Sequence, residues 1–179
     1  SEVDGPIAGM RSRLKGGIPI YFNETAVSSV EGGERVQAET LFKKLTFAWS
    51  RGTMGYTWYD LRNDGWDPKD YEHNYGMLTH DFHPKAVYPV YNALVKALRG
   101  KSHAQNFELG NGRYAFTFAG QGDEVITTWS EPAAGPARHY LLATDAKSAA
   151  TLDIMGNRND TPVLPGGRVV LVNGPAPTY

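Results

Sequence analysis

The stretch Ile18-Pro19-Ile20-Tyr21-Phe22-Asn23-Glu24-Thr25-Ala26 is an apolar run that ends abruptly in a carboxylate. Gly16-Gly17 punctuates its start, and polar and apolar residues do not alternate within it. A strand buried on both faces reads this way, whereas a half-exposed strand alternates. A Glu at the C-terminal end of such a strand stands where an α/β fold opens its functional face. The competing reading of Glu24 is a loop carboxylate or a structural ion pair, and the flanking sequence shifts the balance between them.

On the N-terminal side, residues 3–15 predict a helix. Asp4 suits the N-cap and Pro6 the first turn, and Ile7, Met10 and Leu14 share a face. Arg11, Arg13 and Lys15 complement the C-terminal dipole, and Gly16 is a natural stop. On the other side, a polar loop from Ser28 to Gly33 leads into a helix over 34–51. Its apolar stripe is Val36, Ala38, Leu41, Phe42, Leu45, Ala48 and Trp49. A second strand follows at Met54–Tyr59, then a long polar loop from Asp60 to His83. Beyond Pro84 an amphipathic helix carries Val87, Tyr91, Leu94, Val95 and Leu98 to Gly100, with Pro89 near its start, where a missing amide does least harm. Strands that alternate with helices imply a parallel sheet with right-handed crossovers.

From Ser102 the texture changes. Phe107–Leu109, Tyr114–Phe118, Glu124–Trp129, Arg138–Ala143, Ala150–Met155 and Arg168–Val172 are short runs separated by turn signals such as Gly110-Asn111-Gly112 and Pro165-Gly166-Gly167. They predict a small antiparallel β-sandwich. The expected division is therefore an α/β part over 1–101 and an all-β part over 102–179.

Composition narrows the function classes. The formal net charge of -1 on 179 residues gives no electrostatic footprint for nucleic acid or an anionic membrane, so neither is expected as a partner. There is no cysteine, and no apolar run approaches the ~18 residues of a membrane span. Four Trp and 10 Tyr suit surfaces that stack on sugars or other flat apolar faces. The sequence begins at Ser1 rather than Met, which predicts a processed product or a piece of a longer protein. No glycine-rich phosphate loop follows a strand, and no Ser-His-Asp motif is present. The loop from Asp60 to Glu72 is rich in oxygen ligands, but Arg62 and Lys69 interrupt it and the calcium spacing fails. His73, His80, His83 and Asp81 match no zinc order. No metal or other cofactor is expected.

Pro19–Thr25 followed by a helix, then Tyr56-Thr57-Trp58-Tyr59-Asp60-Leu61-Arg62-Asn63-Asp64-Gly65, resembles the end of a clan A (β/α)8 glycoside hydrolase. So do Glu72–Leu78 and Asp81–Tyr88. The nearest likeness is to family 39, with parts shared by family 5, and it covers roughly residues 3–100. A small β-sandwich often follows the barrel in such enzymes. The implied fold class is α/β plus all-β: the last two βα units of a TIM barrel, incomplete in this chain, and then the sandwich.

The resemblance implies residue roles. Glu24 corresponds to the nucleophile that ends the seventh barrel strand. Trp58 corresponds to an aromatic at the end of the eighth, against the sugar; Trp58→Ala is then expected to weaken substrate use more than stability. Asn23, Tyr56, Asn63 and Trp66 are further candidate substrate contacts, and Asn23, Tyr56 or Tyr59 could hydrogen-bond Glu24. The resemblance also implies a saccharide substrate and an extracellular or periplasmic location. A retaining glycosidase needs a second carboxyl to protonate the leaving oxygen. In the family that Glu ends the fourth strand, which this chain lacks. A full barrel takes typically ~250 residues, so the expectation is a chain completed by an N-terminal remainder that supplies the acid/base. Alone, it is expected to be inactive. The alternative is a non-catalytic carbohydrate-binding or structural protein derived from such an enzyme.

Overall fold

The computed structural model describes residues 4–14, 17–120 and 122–179. Its central element is helix α2 (Gly33–Ser50), which buries Ala38, Leu41, Phe42, Leu45 and Ala48 at three- and four-residue spacing. Gly32, at φ 90°, turns the chain into the helix, and Gly52, at φ 64°, turns it out. Helix α1 (Asp4–Arg13) precedes it. Lys15 and Gly16, expected to close α1, lie outside the described residues, as do the side chains of Asp4 and Pro6, expected to open it. Helix α3 (Val87–Leu98) packs on α2 through Val87, Val90, Leu94 and Leu98, a single fully buried stripe. The Glu34 carboxylate of α2 accepts from the Ala86 amide at 2.9 Å, and so caps the start of α3.

Strands β1 (Tyr21–Thr25) and β2 (Gly55–Trp58) pair in parallel, as the helix-strand alternation predicts. The expectation that β1 is buried on both faces is not met. Ile18 is 53% exposed and Tyr21 49%. The reason is coverage: among the described residues β1 has β2 as its only partner strand. Tyr21 packs against the backbone at Gly55, where an added Cβ would come within 2.2 Å of the ring. Its hydroxyl meets Thr57 Oγ1 at 2.6 Å.

The second half is β throughout. Strands β3 (Lys101–Asn106), β4 (Arg113–Gly120) and β5 (Glu124–Ser130) form an antiparallel meander. Strand β6 (Arg138–Ala143) pairs with β9 (Arg168–Asn173), and β7 (Ala149–Leu152) with β8 (Arg158–Thr161). Two of these strands are not foreseen by the sequence reading. Lys101–Asn106 has no β-type residue and Arg158–Thr161 only Thr161, and both become strands through pairing with β4 and β7, which outweighs local propensity. Phe107–Leu109, by contrast, lies outside the strands.

Buried Arg113 and Asn173 fasten β9 onto β4 and β5. Arg113 donates to Asn173 Oδ1 (2.9 Å) and to the carbonyls of Ala134 and Pro136 (2.7 Å each). Asn173 Nδ2 donates to the Trp129 carbonyl at 2.7 Å and to Thr128 Oγ1 at 2.8 Å. A buried cation that faces only carbonyl and amide oxygens is held by geometry rather than by charge pairing.

The expected boundary near Gly100 falls between α3 and β3, but one buried cluster runs across it. Phe42 of α2 stacks on Tyr179 with ring centroids 5.3 Å apart and meets Trp129 edge-on at 6.3 Å. Phe47 meets Phe116 edge-on at 6.0 Å. Each such buried aromatic contributes about 2–3 kcal/mol by area. Trp129 belongs to this cluster, and Trp49, which the sequence reading places on the apolar stripe of α2, lies against it.

Candidate functional site

Parallel pairing brings the C-terminal ends of β1 and β2 to one edge, where the Tyr59 amide donates to the Thr25 carbonyl at 2.9 Å. The pairing is irregular between Phe22 and Thr25, and Asn23 and Glu24 are both exposed there. Glu24 opens into a cleft of about 350 Å³ whose other walls are Thr25, Ala26, Tyr59, Glu72 and Tyr75. The far wall comes from the loop after β2, which brings a second carboxylate, Glu72, to the cleft that holds Glu24. A larger cleft of about 570 Å³ lies near the opposite end of α2, between Arg11, Trp49, Arg51 and His103.

The loop is long but well held. The Met77 and Leu78 amides donate to the Asp60 and Leu61 carbonyls at 3.0 and 2.9 Å, so residues 60–63 and 76–78 run side by side. Beneath them lies a buried polar hub. Lys85, only 2% exposed, donates to Ser29 Oγ (3.1 Å), Asn63 Oδ1 (3.2 Å) and the Asn74 carbonyl (3.0 Å). Gln37 of α2 donates to the Val27, Asn74 and Tyr75 carbonyls. One ammonium and one amide thus tie the loops after β1 and β2 to the helix behind them. Burial lowers the Lys85 pKa, since the neighbours it bonds to are neutral oxygens.

The remaining candidates do not all reach the cleft. Trp58 is 6% exposed, sits in the core and donates from Nε1 to the Tyr75 carbonyl at 3.2 Å. It supports the cleft wall from behind, because β2 turns that face towards the helices. Asn63 is buried, its Nδ2 donating to Asn74 Oδ1 and its Oδ1 accepting from the Gly76 amide and Lys85. A sugar hydroxyl would have to displace one of these partners. Tyr56 does not bond Glu24: its hydroxyl is buried beside Thr25 Oγ1, and neither atom makes a well-formed hydrogen bond. Burial pushes the Tyr56 phenol up to about 12. Tyr59 donates instead to Asp64 Oδ2 at 2.9 Å, a bond that pushes its phenol up to about 12. Trp66 is exposed at the loop surface, with its ring 4.6 Å from that of His80. Sequence reasoning includes Glu72, Tyr75 and Lys85 only within segments that carry the resemblance and gives them no role, because their contacts are distant in sequence.

The histidines serve separate purposes. His73 Nδ1 accepts from the Asp67 amide at 3.2 Å, His80 Nδ1 meets the Asn63 carbonyl at 3.0 Å, and His83 pairs with Asp81 at 2.9 Å. Among the described residues no three His, Cys, Asp or Glu side chains are grouped to hold a metal. No described helix is long and apolar enough to cross a membrane.

Asp60, where β2 runs into the loop, has a buried Oδ1 without a hydrogen-bond partner. Burial first, and then the Asp64 charge, push its pKa up to about 6 from an ordinary 3.8. The folded protein therefore holds this proton more tightly than the unfolded chain does. The carboxyl's contribution is fully present below about pH 4 and is lost as pH rises through about 6. Asp60→Asn is expected to stabilise the protein by about 1 kcal/mol at pH 7.5, a figure reduced for solvent screening. At pH 4 it should change little. Urea unfolding at the two pH values checks this, and a variant no more stable at pH 7.5 would count against it.

No protein-family model and no curated protein matches the sequence. Among solved structures, the chain is similar to a family 39 glycoside hydrolase from the gut symbiont Bacteroides cellulosilyticus. The TM-score is 0.80 at 23% sequence identity, over 98% of this chain and 36% of that one. The likeness is one of fold, and the chain spans about a third of the length of the structure it matches.

Proposed function

We propose that this chain is the C-terminal part of a retaining glycoside hydrolase and that Glu24 is its nucleophile. The observation that carries the proposal is the position of Glu24, exposed at the C-terminal edge of two parallel strands and opening into a cleft lined by Tyr59, Glu72 and Tyr75. The fold-level likeness to a family 39 glycoside hydrolase supports it.

In this reading a Glu24 carboxylate oxygen attacks the anomeric carbon as the bond to the leaving oxygen breaks. A carboxylic acid outside this chain protonates that oxygen. The acid, now a base, then takes a proton from water, whose oxygen attacks the anomeric carbon and frees Glu24. Glu72 and Tyr75 line the same cleft and bind the sugar, while Asn23 lies beside the nucleophile. The partners are a saccharide and the remainder of a barrel, whose strands cover the exposed Ile18 and Tyr21.

Trapping tests the proposal on the full protein. An activated 2-deoxy-2-fluoro glycoside should leave one fluorosugar on the peptide that holds Glu24, as read by mass spectrometry. A label on another carboxylate would overturn it.

A further inference from the structure

Two aromatic rings on the loop after β2 stand out into solvent. Trp66 is 70% exposed and Phe82 64%. Each has a polar neighbour: the Arg62 guanidinium carbon lies over Phe82, 4.8 Å from the ring centre, and the His80 ring meets Trp66 edge-on with centroids 4.6 Å apart. The polar neighbours of the two rings are anchored side by side on the loop. Arg62 bridges to Leu78, Leu78 bridges to Pro84, and His80 is held to the Asn63 carbonyl.

Phe82 also occupies the left-handed region, at φ 67°, and it is the one non-glycine residue described there. For a bulky side chain that conformation is costly, and such strain concentrates at functional positions. The turn that imposes it is held by its own polar groups. Thr79 Oγ1 donates to Asp81 at 2.5 Å and accepts from the His83 amide at 2.9 Å, and the Phe82 amide donates to the Thr79 carbonyl at 3.0 Å. The turn thus presents a ring that contributes nothing to the buried cluster.

The surroundings indicate what the rings bind. Residues 60–83 carry six carboxylates (Asp60, Asp64, Asp67, Asp70, Glu72 and Asp81) against two cations, Arg62 and Lys69. Single exposed rings on a loop rich in carboxylates suit a sugar, whose C–H face stacks while its hydroxyls donate. An apolar protein partner would need a contiguous patch instead. A uronic acid or sulfated chain would meet like charge. Trp66 is also tied to the cleft, because the Asp67 amide bonds His73 and Asn74 Nδ2 bonds the Asp67 carbonyl at 2.7 Å, next to Glu72.

We infer that Phe82 on Arg62 and Trp66 on His80 form a two-ring platform for units of a neutral oligosaccharide beyond the unit held at Glu24. Its placement as an extension of the cleft rests on the glycosidase reading; the platform as a sugar-binding surface does not.

The test is calorimetric titration of xylohexaose, cellohexaose and hexagalacturonate into the full protein carrying Glu24→Gln, with and without Trp66→Ala or Phe82→Gly. Each ring removed should weaken binding of a neutral hexasaccharide about tenfold, and xylose or cellobiose binding should change less. Phe82→Gly relieves the strained φ, so its Tm should stay level or rise, which separates lost binding from lost fold. Wild-type affinity in both ring variants, tighter binding of hexagalacturonate, or no binding of any hexasaccharide would overturn the platform. If Glu24→Gln hydrolyses substrate normally, the glycosidase reading falls, and ring-dependent hexasaccharide binding would still establish the platform.

Discussion

Glu24→Gln in the full protein is expected to lower glycoside hydrolysis by roughly four orders of magnitude or more, because loss of a nucleophile removes the covalent step itself. The substitution exchanges one carboxylate oxygen for an amide of nearly the same shape at an exposed site, where stability changes stay within about 0.5 kcal/mol. The Tm should therefore not move. Glu24→Gly gives a second, sharper readout. It opens room for a small anion, and azide should then attack the anomeric carbon in place of the carboxylate and give a glycosyl azide of inverted configuration. Rescue by azide at the anomeric carbon assigns Glu24 to the nucleophile's position rather than to general binding. Near-normal turnover by Glu24→Gln, or a loss of activity with no azide product from Glu24→Gly, would remove Glu24 from that role.

The sequence is legible where burial and periodicity coincide. The α2 and α3 stripes, the parallel pair and five of the six short runs after Ser102 follow from local pattern, and α2, α3, β4 and β5 supply most of the buried cluster. Lys101–Asn106 is illegible for the opposite reason: it is a polar strand fixed by its pairing with β4. The site divides in the same way. Glu24 is marked by the apolar run that ends in it. Glu72 and Tyr75 reach the cleft because Lys85 and Gln37 draw Asn63, Asn74 and the Tyr75 carbonyl inward, and these contacts span up to 38 positions. That same inward draw removes Asn63 from the surface, where its position in a polar loop had placed it.

Trp58→Ala is expected to destabilise the protein by about 3–5 kcal/mol, the range for a buried Trp truncated to Ala. The argument rests on position: at 6% exposure Trp58 lies in the cluster that includes Met77, Val87 and Phe42, and the space it leaves cannot be refilled by solvent-facing groups. Its Nε1–H is also one of two donors to the Tyr75 carbonyl, the other being Gln37 Nε2 at 3.0 Å. The cleft wall at Tyr75 therefore loosens along with the core. Trp58→Phe separates the two contributions, since it keeps most of the apolar volume and loses the donor. It should recover most of the stability while Tyr75 remains less well held, so KM should rise more than the unfolding midpoint falls. This differs from the outcome expected of a tryptophan stacked on the sugar, for which Trp58→Ala would fold normally and lose substrate. Thermal or urea unfolding of Trp58→Ala beside Glu24→Gln distinguishes these cases. A variant with wild-type stability and poor substrate binding would return Trp58 to the sugar, whereas one that unfolds first would leave the cleft to Glu24, Tyr59, Glu72 and Tyr75.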